Sequence, residues 1–395
     1  MIRALFVVIT ILSLANPLPQ VQAVEACEEN LQRTPLVAKP FRFPEAKHGK
    51  GELKYINGLP VVTLSGTPEE IGEQMRVLTR SAGPYLLTYP MSYLKTKEPS
   101  SSRPSWLTLI QLGKRMLDNF PPDQRREYES AIQGTLLGRN VFLVGNTMFD
   151  VEKISQCAAM IVEPRRSATG QMLFGRDLDI PSLGILHEFS LVIVYRPQGK
   201  HAFVSIGFPG MLGCITGMND RGLTVATLEV MSTKDGSPSF DPQGTPYALC
   251  FRRVLEECTT VEEAAKLLRS MKRTTCVNLA ICDLKTAAVF EITSKSLCVR
   301  FSENGLCLCT NHFRTPALAT STECPRYRAL EESKEMPCLT LSDVAKKMNT
   351  VSQGPLTIQT MIFEPASLRL RLAIGSCPSS KLPLKELELG PLFGK

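Results

Sequence analysis

Cys157 heads an apolar run, and an arginine and two aspartates return beside it. The stretch reads "QCAAMIVEPRRSATGQMLFGRDLD", residues 156–179. Two apolar runs around a charged, Gly-bearing segment read as an antiparallel hairpin. With the turn centred near Arg166–Ser167, opposed residue numbers sum to roughly 333–334. Cys157 then stands opposite Arg176 or Asp177, with Asp179 just beyond the start of the strand. A guanidinium beside a thiol raises its thiolate fraction, and a carboxylate there can steady the arginine or orient an amine. The plain alternative is a solvated ion pair next to a core cysteine, and the hairpin alone favours it.

A nucleophilic thiol also needs a base. The chain has four histidines, and His187, His201 and His312 follow Cys157; none lies in a local signature of a cysteine peptidase. A serine triad lacks its G-x-S-x-G elbow. A third solution needs no histidine. Cleavage before Cys157 would make its own α-amine available, and such an amine has a pKa of about 7.7–8.0, suited to general-base work near neutrality.

The surrounding elements must place these groups. Of 395 residues, 43% are hydrophobic and 21% charged, a globular balance with ample material for a core. The net charge of +7 is scattered, with no basic run interleaved with aromatics, so nucleic-acid binding has no footprint. "MIR", the apolar "ALFVVITILSLA" and "NPLPQVQA" ending at Ala23 form the layout of a secretory leader. Residues 1–23 are therefore expected to be removed, with a mature start near Val24. Export would place the protein outside the cell or in a periplasm, or in a lysosome if the cell is eukaryotic. No later apolar run approaches the ~20 residues that span a bilayer. Thirteen cysteines include no C-x-x-C, and most sit in strand-like runs as small hydrophobes. No zinc site or redox dithiol is written at recognisable spacing.

Residues 24–156 read as mainly helical after a short hairpin turning at Asn57-Gly58. Thr67, Pro68 and Glu70 mark a helix start. Its continuation through "PYLLTYPMSYLK" is expected to break at Pro90, and "EPSSSRPS" is a loop. Further helices are expected near 105–118 and 122–137. From Cys157 to about 235 the chain reads as a strand meander. Two helices follow, the second boxed by Thr260 and Glu263, then more strands, a helix near 342–349 and a final strand pair. Strands, helices and strands in blocks indicate an α+β fold.

The order of several pieces is more specific than any one of them. "LSGTPEEIGEQMRVL", "QCAAMIV…GQMLFGRDLD", "FPGMLGCITGMNDRGLTVATLE", "TPYALCFRRVLEECTTVEEAAKLL", "TNHF" and "CPRYRALEE" resemble, in sequence order, the penicillin acyltransferase-like branch of the N-terminal-nucleophile hydrolases. That branch is related to bile-salt hydrolases, acid ceramidase and N-acylethanolamine acid amidase. The match covers about residues 60–372.

The resemblance implies a four-layer αββα sandwich and self-cleavage between Gln156 and Cys157. The products would be an α-chain (24–156) and a β-chain (157–395) that remain associated. It further implies Cys157 as nucleophile with its new amine as base, Arg176 beside the thiol and Asp179 holding the amine. Asn311 would donate to the oxyanion. Glu229 would support that hole or the self-cleavage, and Arg326 would brace the site, with Arg328 a close competitor. The plain alternatives are a turn or edge-strand residue for Asn311 and a solvated strand residue for Glu229, and His312 reads as a structural hydrogen-bonder rather than a catalyst. Relatives commonly carry Ser or Thr after the nucleophile, where this chain has Ala158, which puts substrate and rate in question.

The expected activity is hydrolysis of a linear, non-peptide amide, or acyl transfer, through a thioester. The partner is a small acyl-amide, with no metal or organic cofactor; the oligomeric state is not legible. Two rival readings remain: an uncleaved binding protein on the same fold, and a histidine-assisted cysteine peptidase.

Overall fold

This computed structural model describes residues 40–95, 104–134 and 138–395. The expected leader, Cys27, most of the Ser/Pro-rich loop and the end of the helix expected to reach 137 lie outside the described residues. The first strands are β1 Ala46–His48, β2 Gly51–Ile56 and β3 Leu59–Gly66. Asn57 and Gly58 join the last two with φ of 51° and 73°, the left-handed pair a two-residue hairpin loop requires. Thr67 caps α1 (Pro68–Leu78): its hydroxyl accepts from the Glu70 N–H, and Glu70 accepts the Thr67 N–H at 2.8 Å. The helical continuation does break beside Pro90, between Gly83–Leu86 and Tyr89–Lys95. Pro90 lies in the first turn of the second piece, where its missing N–H leaves no bond unmade. Helices α2 (Trp106–Leu117), α3 (Pro122–Ala131) and α4 (Gly138–Gly145) follow.

The meander supplies β4 Gln156–Val162, β5 Leu173–Asp179, β6 Leu191–Pro197, β7 Phe203–Gly207, β8 Thr216–Asn219 and β9 Thr224–Glu229. After it come α5 (Tyr247–Glu257) and α6 (Val261–Ser270), the latter with the expected Thr260–Glu263 box. Next are β10 Val277–Cys282, β11 Ala287–Ile292, β12 Leu297–Phe301 and β13 Leu306–Cys309. The chain closes with α7 (Pro325–Glu331), α8 (Leu341–Val351), β14 Thr357–Glu364, β15 Arg369–Ala373 and β16 Lys385–Glu388. Strands β1 and β16 and helices α4 and α7 go beyond the expected elements.

The strands form two sheets, ordered β1-β2-β3-β6-β7-β8-β9-β10-β11-β12 and β13-β4-β5-β14-β15-β16. Strand β4 shows how they stack, because alternate side chains leave opposite faces. Cys157, Ala159 and Ile161 enter the main core shared with β6, β7 and β9 to β11. Ala158, Met160 and Val162 pack instead with Leu330 of α7 and with Val344 and Met348 of α8. The smaller sheet therefore faces the larger sheet on one side and helices on the other. Helix α1 packs on β2 and β3, α5 on β8 and β9, and α6 on β11. The fold is an αββα sandwich.

Residues Phe41–Lys395 form one compact unit, so position 157 divides no domain. The segment before it is helical but also supplies β1 to β3, which join the large sheet through parallel pairing of β3 with β6, Val61 opposite Val192. A buried ionic cluster ties the same two parts. Arg252 of α5 meets Glu127 of α3 at 2.6 Å and Glu256 at 2.7 Å, and Lys200 bridges Asp123 and Glu256 at 2.8 and 2.9 Å. Every cysteine among the described residues is a free thiol. Among those residues no helix is long and apolar enough to cross a membrane, and no acidic, histidine or cysteine cluster suits a metal.

Candidate active site

The hairpin register differs from the expected one. Cys157 stands opposite Leu178, Ala159 opposite Arg176 and Gln156 opposite Asp179, so the pairs sum to 335. A 3-10 turn at Pro164–Arg166 carries the bend further along the chain, and Asp179 belongs to β5 itself. Alternation still leaves Arg176 on the same face as Cys157, one diagonal step away. Asp177 and Asp179 point to the other face, toward α7 and α8. The thiol is thus approached from between the sheets and the Cys157 backbone from the helical side.

Between the sheets, Arg176 is fully buried. Its Nε donates to Thr216 Oγ1 at 3.1 Å and one Nη to the Asp177 carbonyl at 2.7 Å, while Nη2 has no hydrogen-bond partner. Cys157 is equally buried, and burial raises its thiol pKa although Arg176 pulls it down. Arg176 thus acts on the thiol in the expected direction, but desolvation outweighs it and the net shift is upward.

On the helical side, Cys157 N–H donates to Asn311 Oδ1 at 2.7 Å. Arg326 of α7 donates to the Cys157 carbonyl at 2.6 Å and to Asn311 Oδ1 at 3.0 Å, and lies 3.8 Å from Asp179 Oδ2. Asn311 Nδ2 donates to the Glu229 carbonyl at 2.8 Å. With the Gln156–Cys157 peptide bond intact, that amide donor is engaged with Glu229. Asp179 accepts from Thr357 Oγ1 at 2.6 Å, its other oxygen has no hydrogen-bond partner, and burial lifts its pKa to about 6. Arg326, not Arg328, reaches the site; Arg328 is exposed and paired with Glu323.

Glu229 is buried rather than solvated. Its carboxyl accepts the Ser155 N–H at 2.7 Å and the Tyr247 hydroxyl at 3.1 Å, and burial raises its pKa to about 7. Lys153 donates to Thr275 Oγ1 and, at 2.8 Å, to the Cys276 carbonyl; burial lowers its pKa, while Glu229 and Asp150 pull it back up. Asp150 accepts from Thr274 and from Tyr247 N–H at 2.9 Å, and burial lifts it to about 6. Lys153, Asp150 and Tyr247 thus hold the segment just before Cys157, and nothing in the sequence singles them out. A lysine in "DVEKIS" reads as a solvated charge.

The histidines are occupied elsewhere or unpaired. His48 meets Glu73 at 3.0 Å, His187 meets Ser182 at 2.6 Å and His201 meets Asp220 at 3.0 Å. His312 Nδ1 is buried without a partner. A cavity of about 410 Å³ lies between Phe41, Tyr55, Glu188 and Lys385, and none of the six site residues lines it.

A family model described as acyl-coenzyme A:6-aminopenicillanic acid acyl-transferase matches residues 167–376. The matched span begins after Cys157 and takes in Arg176, Asp179, Glu229, Asn311 and Arg326. An uncharacterized protein of Archaeoglobus fulgidus is 22% identical over 302 residues, 68% of this chain and 48% of that protein. The chain spans about half the length of that curated relative. The Caenorhabditis elegans ortholog of N-acylethanolamine-hydrolyzing acid amidase is 17% identical with a TM-score of 0.42, over 53% of this chain and 93% of its own. A mutant of conjugated bile acid hydrolase from Clostridium perfringens is 17% identical with a TM-score of 0.42, over 60% and 93%. Penicillin V acylase from Agrobacterium tumefaciens is 15% identical with a TM-score of 0.41, over 55% and 83%.

Proposed function

Since the chain belongs to the acyl-coenzyme A:6-aminopenicillanic acid acyl-transferase family, we propose that it is a self-processing amidase or acyltransferase with Cys157 as nucleophile. The observation that carries this reading is the setting of the Cys157 nitrogen. It donates to Asn311 Oδ1 at 2.7 Å, and Arg326 grips both that oxygen and the Cys157 carbonyl. The same contacts would hold this nitrogen once cleavage made it an amine.

In the first reaction the Cys157 thiol attacks the carbonyl carbon of Gln156. The C–N bond breaks, the nitrogen takes up a proton, and a thioester joins Gln156 to the sulfur. Water then releases Gln156 as a carboxylate and returns the thiol. Glu229, poised near neutrality beside Ser155, can supply or accept a proton in either step. The freed amine then has Asn311 Oδ1 and the unpartnered oxygen of Asp179 as acceptors.

In each turnover the amine takes the thiol proton, and the sulfur attacks a linear acyl amide. The oxyanion forms near Asn311, whose donor is freed if the Glu229 contact opens. The α-ammonium returns that proton to the substrate nitrogen, which leaves as an amine, and water or a second amine resolves the remaining thioester. Hydrolysis is favoured over transfer because the leader-like residues 1–23 would take the protein away from acyl-CoA.

Intact mass and N-terminal sequencing of the purified protein, beside Cys157→Ala, test this reading. Two fragments in the wild type only, the larger beginning Cys-Ala-Ala-Met, are expected. One stable chain at both mildly acidic and neutral pH would sink it. Such a result would favour an uncleaved binding protein, a reading supported by the full burial of Cys157.

A further inference from the structure

Asn311 lies in a loop after β13, and side chains of the facing sheet hold that loop on both sides. Asn278 of β10 donates both amide hydrogens, to the carbonyls of Thr310 and His312, each at 3.0 Å. Glu291 of β11, its direct cross-strand neighbour, accepts the N–H groups of Arg314 and Thr315, each at 2.9 Å. Arg300 of β12 completes the group, reaching Glu291 at 3.3 Å and the Leu308 carbonyl at 2.8 Å. Asn278 and Glu291 are both fully buried.

A loop backbone ordinarily satisfies itself with water at the surface. Here an amide and a carboxylate have been taken out of water to do it, which is costly. The arrangement is also incomplete, since Asn278 Oδ1 is buried with no partner. An orphaned buried polar atom invites a functional explanation. Four side-chain bonds flank Asn311 and set where its own amide can sit relative to the Cys157 nitrogen.

We propose that Asn278 and Glu291 are positioning residues, which fix the Asn311 loop so that Asn311 meets the Cys157 backbone in register for self-cleavage. This rests on the reading of Cys157 and Asn311 given above. Neither residue touches the reacting atoms. Their effect passes through Asn311, and a displacement of about 1 Å at such a group can lower a rate about a hundredfold.

The test follows the cleavage rate of freshly made full-length chain by intact mass, together with its thermal midpoint. The variants are Glu291→Gln, Glu291→Leu and Asn278→Leu, with Leu268→Ala as a control in the core of α6, where Leu268 is buried. The clamp variants should cleave about tenfold to a hundredfold more slowly. Glu291→Gln, which keeps one acceptor oxygen, should retain more rate than Glu291→Leu. Leu268→Ala should lose thermal midpoint yet cleave like the wild type. Glu291→Gln and Asn278→Leu cleaving at the wild-type rate would overturn the proposal while leaving Cys157 chemistry intact. So would a Leu268→Ala rate that falls in step with its midpoint. A wild type that never cleaves would overturn both the proposal and the reading beneath it.

Discussion

Arg326 makes contacts that a lysine could not copy. Its guanidinium spans the Cys157 carbonyl and Asn311 Oδ1 with two nitrogens of one rigid fork, whereas an ammonium is a point charge on a flexible stem. Arg326→Lys should therefore slow self-cleavage about tenfold or more, while Arg328→Lys, at an exposed site, should match the wild type when both are followed by intact mass. At this scale the sequence showed its chemistry unevenly. The nearness of Cys157 and Arg176 was legible, because a hairpin brings them to one end of a sheet. Their register was not, because an extra turn residue shifts a ladder without changing the hydrophobic pattern. The burial of Glu229 was hidden as well. A glutamate ending "TVATLE" looks solvated until Tyr247 and Ser155, from distant parts of the chain, are seen to close over it.

Among the elements, α1 and α3 approach so closely that a glycine is required. A methyl group on Gly72 would lie 2.3 Å from the Glu127 carbonyl oxygen and 2.9 Å from Ser130 Cβ. Helix propensity alone favours alanine over glycine by about 1 kcal/mol. Gly72→Ala should nonetheless destabilise the fold by about 1–3 kcal/mol, because the two backbones must part; thermal unfolding would show a lower midpoint. Capped helices and apolar strands were the readable elements, since Thr67, Thr260 and the β-branched runs carry their own local signals. Strand β16 was not, because its "KELE" is charged and helix-like. Pairing with β15, Leu370 opposite Leu387, is what makes it a strand.

For the molecule as a whole, five buried carboxyls make stability depend on pH; burial raises Glu127 and Asp177 as well as the three that follow. Burial lifts Glu229 to about 7 and Asp179 and Asp150 to about 6, against about 4 in an unfolded chain. Between those limits the folded protein binds more protons, so its stability falls as pH rises. The contribution is complete below about pH 4 and is lost as pH climbs through 6 to 7. His187 and His312, whose pKa values burial lowers, act in the opposite sense below about pH 6.5, but they are two partly exposed groups against five buried ones. The thermal midpoint should rise by a few degrees between about pH 7 and about pH 5, and Glu229→Gln should shrink that rise.

Another consequence follows from the pairing of β3 with β6 and of Glu127 with Arg252, each joining residues that lie on opposite sides of position 157. A cut there would leave every one of these contacts in place while removing the peptide tether between the partners, and among the described residues every cysteine is a free thiol that adds no second one. Folding, begun as an event within one molecule, would become an encounter between two, and recovery after unfolding would depend on concentration. Diluted pieces would seldom meet again. The working lifetime of the cut protein would then be governed by how slowly it first comes apart.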